Sequence, residues 1–475
     1  MSMPPRIEPA LAPPLDAGFV PAEFFFSEHE RQAKHKLALA LRRPDGTCLH
    51  RELAALDASA DMALEHNYRA LERTLKHMLW TQGGTELHVA PVEAPAKSNM
   101  HEHVQQLAAR LGSSYASGGE RAFDDELVGR KIFRAQLEVH SATGAEALPP
   151  AKDRSIPLGR HLSGCRVGFD LGGSDRKAAA VIDGEVVFSE EITWDPYFQS
   201  DPQYHYEGIK DSIARAAAKL PRLDAIGGSA AGVYVDNEPR AASLFRGVSD
   251  ADFETQVRPI FRRLRADFGN VPFELVNDGE VTALAASMSL DSGSILGISM
   301  GTSMAAGYVD REGHITSWLN ELAFAPVDLR EDAPHDEWSG DVGCGVQCFS
   351  QQAVARLAPA AGIELPEDMP FAERLVEVQQ RMQRGEEGAE QIFTTIGRYL
   401  GWSIPWYART YELSSLLILG RVTSGPGGER ILAEARHVLD QRFATLSERI
   451  TMTTPDEKMK RHGQAIAAAS LPALA

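Results

Sequence analysis

The chain has 475 residues, enough for two or three domains. Its hydrophobic fraction of 43% can fill ordinary buried cores, and its 24% of charged residues is normal for a globular protein. A net charge of -18 argues against nucleic acid or an anionic membrane as the main partner, although local backbone N–H groups can still hold a small anion.

Residues 1 to 20 are rich in proline and alanine, carry no clear period, and read as a loose leader laid over the surface. They lack the basic segment and apolar run of a signal peptide. Residues 28 to 80 read as helical, and ALEHNYRALERTLKHMLW sets Leu64, Tyr68, Leu71, Leu75 and Leu79 on one face. Gly83-Gly84 stops that helix, and TELHVAPV reads as a strand. A helix is expected over His101 to Leu111, and KIFRAQLEVH alternates like a strand. Residues 1 to about 150 therefore read as an α/β unit without a chemical motif, and the proline-containing stretch 142–163 reads as a linker with a boundary near 160.

Beyond it the texture changes. CRVGFDLGG is an apolar strand ending in glycines, and KAAAVIDGEVVF reads as a hairpin around Asp183-Gly184. A helix, the strand AIGGSAAGVYV, another helix and the strand FELV follow, then a helix from Gly279 to Ser287. SILGISMGTSMAAGYVD repeats the pattern of strand, turn and strand. The strand LLILG meets a third glycine-rich turn, and helices are expected from Gly428 to the end. No run of about 18 apolar residues occurs, and the four cysteines Cys48, Cys165, Cys344 and Cys348 do not make a disulfide framework, so a soluble cytoplasmic protein is expected.

Three strands thus run into glycine-rich turns. Phosphate needs close backbone approach and N–H groups aimed at oxygen, and a Cβ obstructs both. The candidate nucleotide-binding residues are Gly172, Gly173, Ser174, Gly301, Thr302, Ser303, Gly420 and Gly427. Asp170, at the end of the first of these strands, is the candidate ligand for Mg²⁺ through water. Any one such turn could equally be a plain hairpin.

In order along the chain, CRVGFDLGGSDRKAAAVIDGEVV resembles the first phosphate motif of the ROK family of sugar kinases and repressors, within the sugar kinase and actin superfamily. AIGGSAAGVYVDNEPRAASLF is similar to its sugar loop, FELVNDGEVTALAAS to its Asn-Asp segment, ILGISMGTSMAAGYVD to its second phosphate motif, LLILGRVTSGPGGERIL to its adenosine motif, and RHGQAIAAASL to its last helix. The resemblance spans about residues 161 to 475 and leaves the first 150 uncovered. It implies a two-lobed, ribonuclease-H-like α/β fold with an additional N-terminal α/β domain. The lobes would be residues 161–277 and 278–475, with the C-terminal helix returning to the first lobe. It also implies an ATP-dependent carbohydrate kinase using Mg²⁺, with a sugar or polyol as acceptor and a homodimer suggested.

Under that resemblance Asp278 is the catalytic base, a carboxylate that must lie within hydrogen-bond reach of the acceptor hydroxyl. Asn277 and Glu321 would bind the sugar, with Asn237 and Arg240 in a loop after a core strand. Spacing alone leaves other readings open. Asn277 or Asp278 could simply cap the helix that follows, and Asn237, Glu238 and Arg240 could form an ordinary polar turn. The chain departs from the family where Phe324 stands in place of a zinc-binding His. Cys344 and Cys348, with His335 as an optional third ligand, keep only part of the family's cysteine run, so zinc is not expected. The departure falls on the acceptor side of the resemblance. It keeps two alternatives in view, a sugar-sensing transcriptional regulator and a ligand-binding pseudokinase. Large aromatics are more often core than binding platforms, so the tryptophans Trp194, Trp318, Trp338, Trp402 and Trp406 are assigned no role.

Overall fold

The computed structural model describes residues 7–8, 10–93, 99–153, 156–455 and 463–474. The N-terminal unit begins with a helix, Ala22–Gln32, and a β-hairpin, β1 (His35–Arg42) and β2 (Cys48–Ala55). The hairpin replaces the helix expected over this stretch. Leu37, Leu39 and Leu41 are buried at a period of two, which only a strand can place on one face. Next come the Ala63–Thr81 helix, β3 (Glu86–Pro91), the Met100–Tyr115 helix and β4 (Glu138–Ser141), giving the sheet order β2-β1-β3-β4. The expected strand over KIFRAQLEVH is shorter than its alternation suggests. Asp125–Phe133 is helical and buries Val128 and Ile132, and Arg134 ends it at φ 60.

The first lobe is a five-stranded sheet of β5 (Cys165–Leu171), β6 (Asp175–Ile182), β7 (Glu185–Thr193), β8 (Ala225–Ala230) and β11 (Phe273–Asn277), in the order β11-β8-β5-β6-β7. β5, β6 and β7 form an antiparallel meander, while β8 and β11 run parallel to β5. A two-stranded ribbon, β9 (Val233–Val235) and β10 (Glu238–Ala241), projects between β8 and β11. The second lobe holds β12 (Ile295–Met300), β13 (Met304–Val309), β14 (Ser415–Leu419) and β15 (Thr451–Thr453), in the order β13-β12-β14-β15. The Asp278–Leu290 helix leads from the first sheet to the second. The C-terminal Gln464–Ala469 helix lies on β5, β6 and β8, and it approaches so closely that a Cβ on Gly168 or Gly227 would overlap its backbone carbonyls. Among the described residues no helix is long and apolar enough to cross a membrane.

The boundary expected near residue 160 separates the chain in sequence but not in its core. One continuous cluster joins Leu37, Leu71, Trp80, Leu107 and Val128 of the N-terminal unit to Ile298, Val346, Phe393, Trp406 and Ile418 of the second lobe. The leader is also more firmly held than its composition suggests. Leu11 and Phe19 are buried, Asp16 pairs with Arg330 at 2.6 Å, and Trp402 Nε1 donates to the Leu11 carbonyl at 3.2 Å.

Candidate active site

The strand registers set the site. Asp170 on β5 sits opposite Ser229 on β8, and Val276 on β11 sits opposite the same serine. The three residues form one row near the carboxyl edge of parallel strands, where α/β sheets place their ligands. Two residues beyond Val276, Asp278 opens its helix at that edge.

Asp170 Oδ1 accepts from Ser229 Oγ at 2.6 Å, and burial raises its carboxyl above the usual range. Asp278 stays partly exposed, but surrounding protein and then the Asp170 charge push its pKa up to about 6. Glu321 is raised by burial first and Asp278 second, to about 7. Glu280 is buried and raised by burial to about 8, with Glu321 and Asp278 adding to the shift. Tyr234, partly buried, is pushed upward by desolvation and by Asp278. Asp278, Glu321 and Glu280 therefore form one electrostatic group, with Asp170 linked to it through Asp278.

Asn277 caps the helix. Its Oδ1 accepts from Gly279 N at 2.7 Å, its Nδ2 donates to the Gly232 carbonyl at 2.8 Å, and Glu280 Oε2 accepts from its backbone N–H at 3.2 Å. This capping box consumes the Asn277 amide and leaves Asp278 as the carboxylate at the helix entrance. Asn237 is likewise committed. It sits at φ 60 beside Asp236 at φ 54 in the two-residue turn between β9 and β10. Its side chain bonds the Phe273 carbonyl at 3.0 Å and the Leu275 N–H at 2.6 Å. The polar-turn reading describes Asn237 better than a sugar ligand does. Arg240 is mostly enclosed, with Nη2 3.4 Å from Glu238 Oε2 and its Nε and Nη1 buried without a protein acceptor.

Both hairpin turns are closed by a backbone bond from their first glycine, over four residues in one and three in the other. Gly172 N donates to the Asp175 carbonyl and Gly301 N to the Ser303 carbonyl, each at 2.9 Å, at the ends of the β5–β6 and β12–β13 hairpins. Ser174, Thr302 and Ser303 are exposed, and Ser174 Oγ donates to Asp175 at 2.9 Å. Gly173 lies against Tyr197. Gly420 has φ 102 and packs on the Met300 backbone. Gly427 is buried, and a Cβ there would come within 2.7 Å of Phe393, so close helix packing explains its lack of a side chain. Among the described residues no group of three or more His, Cys, Asp or Glu could hold a metal by itself. Asp170, a partly exposed lone carboxylate, could hold Mg²⁺ only with water or phosphate oxygens completing its shell.

The N-terminal unit grips the segment that carries Glu321. The backbone N–H groups of Asn320 and Glu321 donate to the Thr81 and Trp80 carbonyls at 2.9 and 2.8 Å, at the end of the Ala63–Thr81 helix. Phe324, which stands where the family has its zinc-binding His, packs against the N-terminal unit. Its ring lies 4.4 Å from Trp80 and 5.7 Å from Phe123. Nearby, Asp341 is buried among Lys76 at 2.9 Å, Arg73 at 3.0 Å and Arg121 at 2.7 Å. Burial alone would raise its carboxyl, but these cations hold it well below the usual range. Cys344 is a buried free thiol pushed by burial up to about 12, and burial raises Cys348 as well. Nothing in the local sequence of residues 63–81 signals that it would support a segment about 240 residues further along the chain.

A cavity of about 500 Å³ reaches the acidic group at Glu280 and is lined there by Asn277 as well. Its walls come from all three parts of the chain, including Arg43 and Phe133 of the N-terminal unit.

The two-lobed architecture, with a hairpin turn after β5 in one sheet and after β12 in the other, matches solved structures. A ROK hexokinase from Thermus thermophilus superposes with a TM-score of 0.50 at 20% identity, covering 64% of this chain and 96% of that one. The chain has the fold of the ROK sugar kinases. A ROK glucokinase from Streptomyces griseus, in complex with glucose and AMPPNP, gives 0.47 at 18% identity, covering 64% of this chain and 98% of that one. A ROK transcriptional regulator, a homolog of the E. coli MLC protein, gives 0.49 at 16% identity, covering 65% of this chain and 79% of that one. No protein-family model and no curated protein matches the chain in sequence.

Proposed function

We propose that the protein transfers the γ-phosphoryl group of ATP to a hydroxyl of a sugar or polyol, with Asp278 as general base. The observation that carries this reading is Asp278 itself. It is a carboxylate at a helix entrance between two turn-bearing sheets, poised by burial and by Asp170 to be ionised at neutral pH and to accept a proton. Bound Mg²⁺ supplies charge neutralisation on the phosphates. Asp170 would hold it through water, while the Gly172–Ser174 and Gly301–Ser303 turns offer backbone N–H and hydroxyl groups to phosphate oxygens. Glu321, on its clamped segment, orients the acceptor. As the Asp278 carboxylate takes the hydroxyl proton, the acceptor oxygen bonds to the γ-phosphorus and the bond to the β,γ-bridging oxygen breaks, releasing ADP. Closure of the lobes excludes water and limits hydrolysis. We place the reaction in the cytoplasm, where four buried free thiols stay reduced and ATP is present.

The test is Asp278→Asn. Turnover of an accepted sugar should fall by roughly 10²–10⁴-fold, with nucleotide affinity within twofold of the parent protein. Unchanged turnover overturns the assignment. The regulator reading gains no observation of its own, because the N-terminal unit is built on a four-stranded sheet and shares the second lobe's core.

A further inference from the structure

The cavity lined by Asn277 and Glu280, which flank Asp278 in the chain, is larger than one acceptor ring needs, and its size lies in the range of a medium-sized ligand. Its walls are braced by bonds that serve no part of the proposed transfer. On one side Arg43 spans Gln82 and Gly83 carbonyls of the N-terminal unit and donates to Ser317 Oγ of the second lobe at 2.8 Å. Its guanidinium lies 5.5 Å over the Phe133 ring, which itself packs on Gly83. On the other side the β9–β10 ribbon carries Tyr234 and Arg240, and Asn237 ties it to β11. Trp318, stacked on Tyr308 at 5.7 Å, closes the second-lobe edge. Both walls are therefore preformed, and three aromatic side chains line a compartment that also holds the cationic groups Arg43 and Arg240. Aromatic faces with a few oxygen-seeking donors suit the C–H face and hydroxyl oxygens of a sugar ring. The buried Nε and Nη1 of Arg240 have no protein acceptor, so a ligand oxygen at this wall would meet an unmet need.

We infer that this compartment binds a second sugar ring of the acceptor, so that the protein takes a disaccharide-sized substrate whose far ring is read by Phe133 of the N-terminal unit and by Arg240. The inference rests on the proposed kinase reading for which ring is phosphorylated, but not for the binding itself. The N-terminal unit would thereby act as a specificity wall.

The test uses the full chain saturated with AMPPNP. Calorimetry would give Kd for maltose, cellobiose, lactose and N,N′-diacetylchitobiose against glucose, galactose and N-acetylglucosamine. At least one disaccharide should bind tenfold or more tightly than its component monosaccharides. That gain should be lost in Arg240→Met and in Phe133→Ala, with AMPPNP affinity retained as the check on folding. If no disaccharide binds more tightly than its units, or if the gain survives both variants, the inference is wrong. ADP release is measured separately. Variant-sensitive disaccharide binding without ADP release would sink the kinase reading and leave the compartment standing. Turnover of monosaccharides without any disaccharide gain would do the reverse.

Discussion

Asp278 and Glu280 sit two residues apart on one helix turn, yet their surroundings set them to different protonation states at neutral pH. Asp278 is held at about 6 and Glu280 at about 8, in each case by burial first. A base must be ionised to accept a proton, so kcat/KM should rise with pH through a limb near 6 and flatten above it. A pH–rate profile without that acidic limb would contradict the role of Asp278. Glu280 makes a separate prediction about stability. Its folded value lies above the ordinary 4.5, so the native state keeps the proton longer than the unfolded chain does. Its stabilising contribution is complete below about 4.5 and is lost as pH rises toward about 8, on the order of 4–5 kcal/mol in all. Glu280→Gln keeps an acceptor for the Asn277 N–H but cannot ionise. Urea midpoints of that variant should change less between pH 5 and pH 8 than those of the parent.

The Ala63–Thr81 helix shows what an element can do that its own residues do not advertise. Its end receives the N–H groups of Asn320 and Glu321, and its flank sends Arg73 and Lys76 to Asp341. Asp341→Asn removes the anion shared by three buried or nearly buried cations and should destabilise the protein by about 3–5 kcal/mol. Below the ordinary carboxylate range the same loss should appear in the parent, because its depressed Asp341 contributes stability only while ionised. Urea unfolding of the variant at neutral pH and of the parent under acid measures both. The core strands of the two lobes were legible in sequence because their apolar runs end in glycines, and the helix entrance at Asn277 was legible from its capping residues. Residues 35–55 were misread because an alanine-rich strand blurs its own alternation. The helix over Asp125–Phe133 was masked by an accidental alternation in its last turn. Asn237 resembled a ligand because a polar residue in a loop after a core strand looks the same whether it faces a substrate or braces a turn. Its left-handed φ and its side-chain bonds to β11, which only the fold reveals, give it a place in the turn. The grip of the Ala63–Thr81 helix on Glu321 was illegible for a different reason. It uses backbone carbonyls, and any sequence presents those.

The first 150 residues were expected to be a separate domain, and the core gives a way to test how separate they are. The shared cluster puts Leu71, Leu75 and Trp80 against a second lobe that buries Val346, Trp406 and Ile418 in the same layer. Each large apolar side chain left exposed forfeits roughly 1.5–3 kcal/mol, so losing even a handful exceeds the net stability of about 5–15 kcal/mol typical of a folded protein. A chain beginning at residue 156 would also strand Asp341 without Arg73, Lys76 and Arg121, and Asn320 and Glu321 without acceptors for their N–H groups. Such a truncation should retain secondary structure but lose fixed packing in the second lobe, binding a hydrophobic dye and showing little near-ultraviolet circular dichroism. The first lobe has its own cluster around Phe169, Phe261 and Phe273, apart from the shared core, and should keep its protection from amide hydrogen exchange. Protection that survives in the first lobe but collapses in β12 and β14 is the signature of a core built jointly by the N-terminal unit and the second lobe. A truncated chain that unfolds at the parent's urea midpoint would show instead that the N-terminal unit is an appended domain after all.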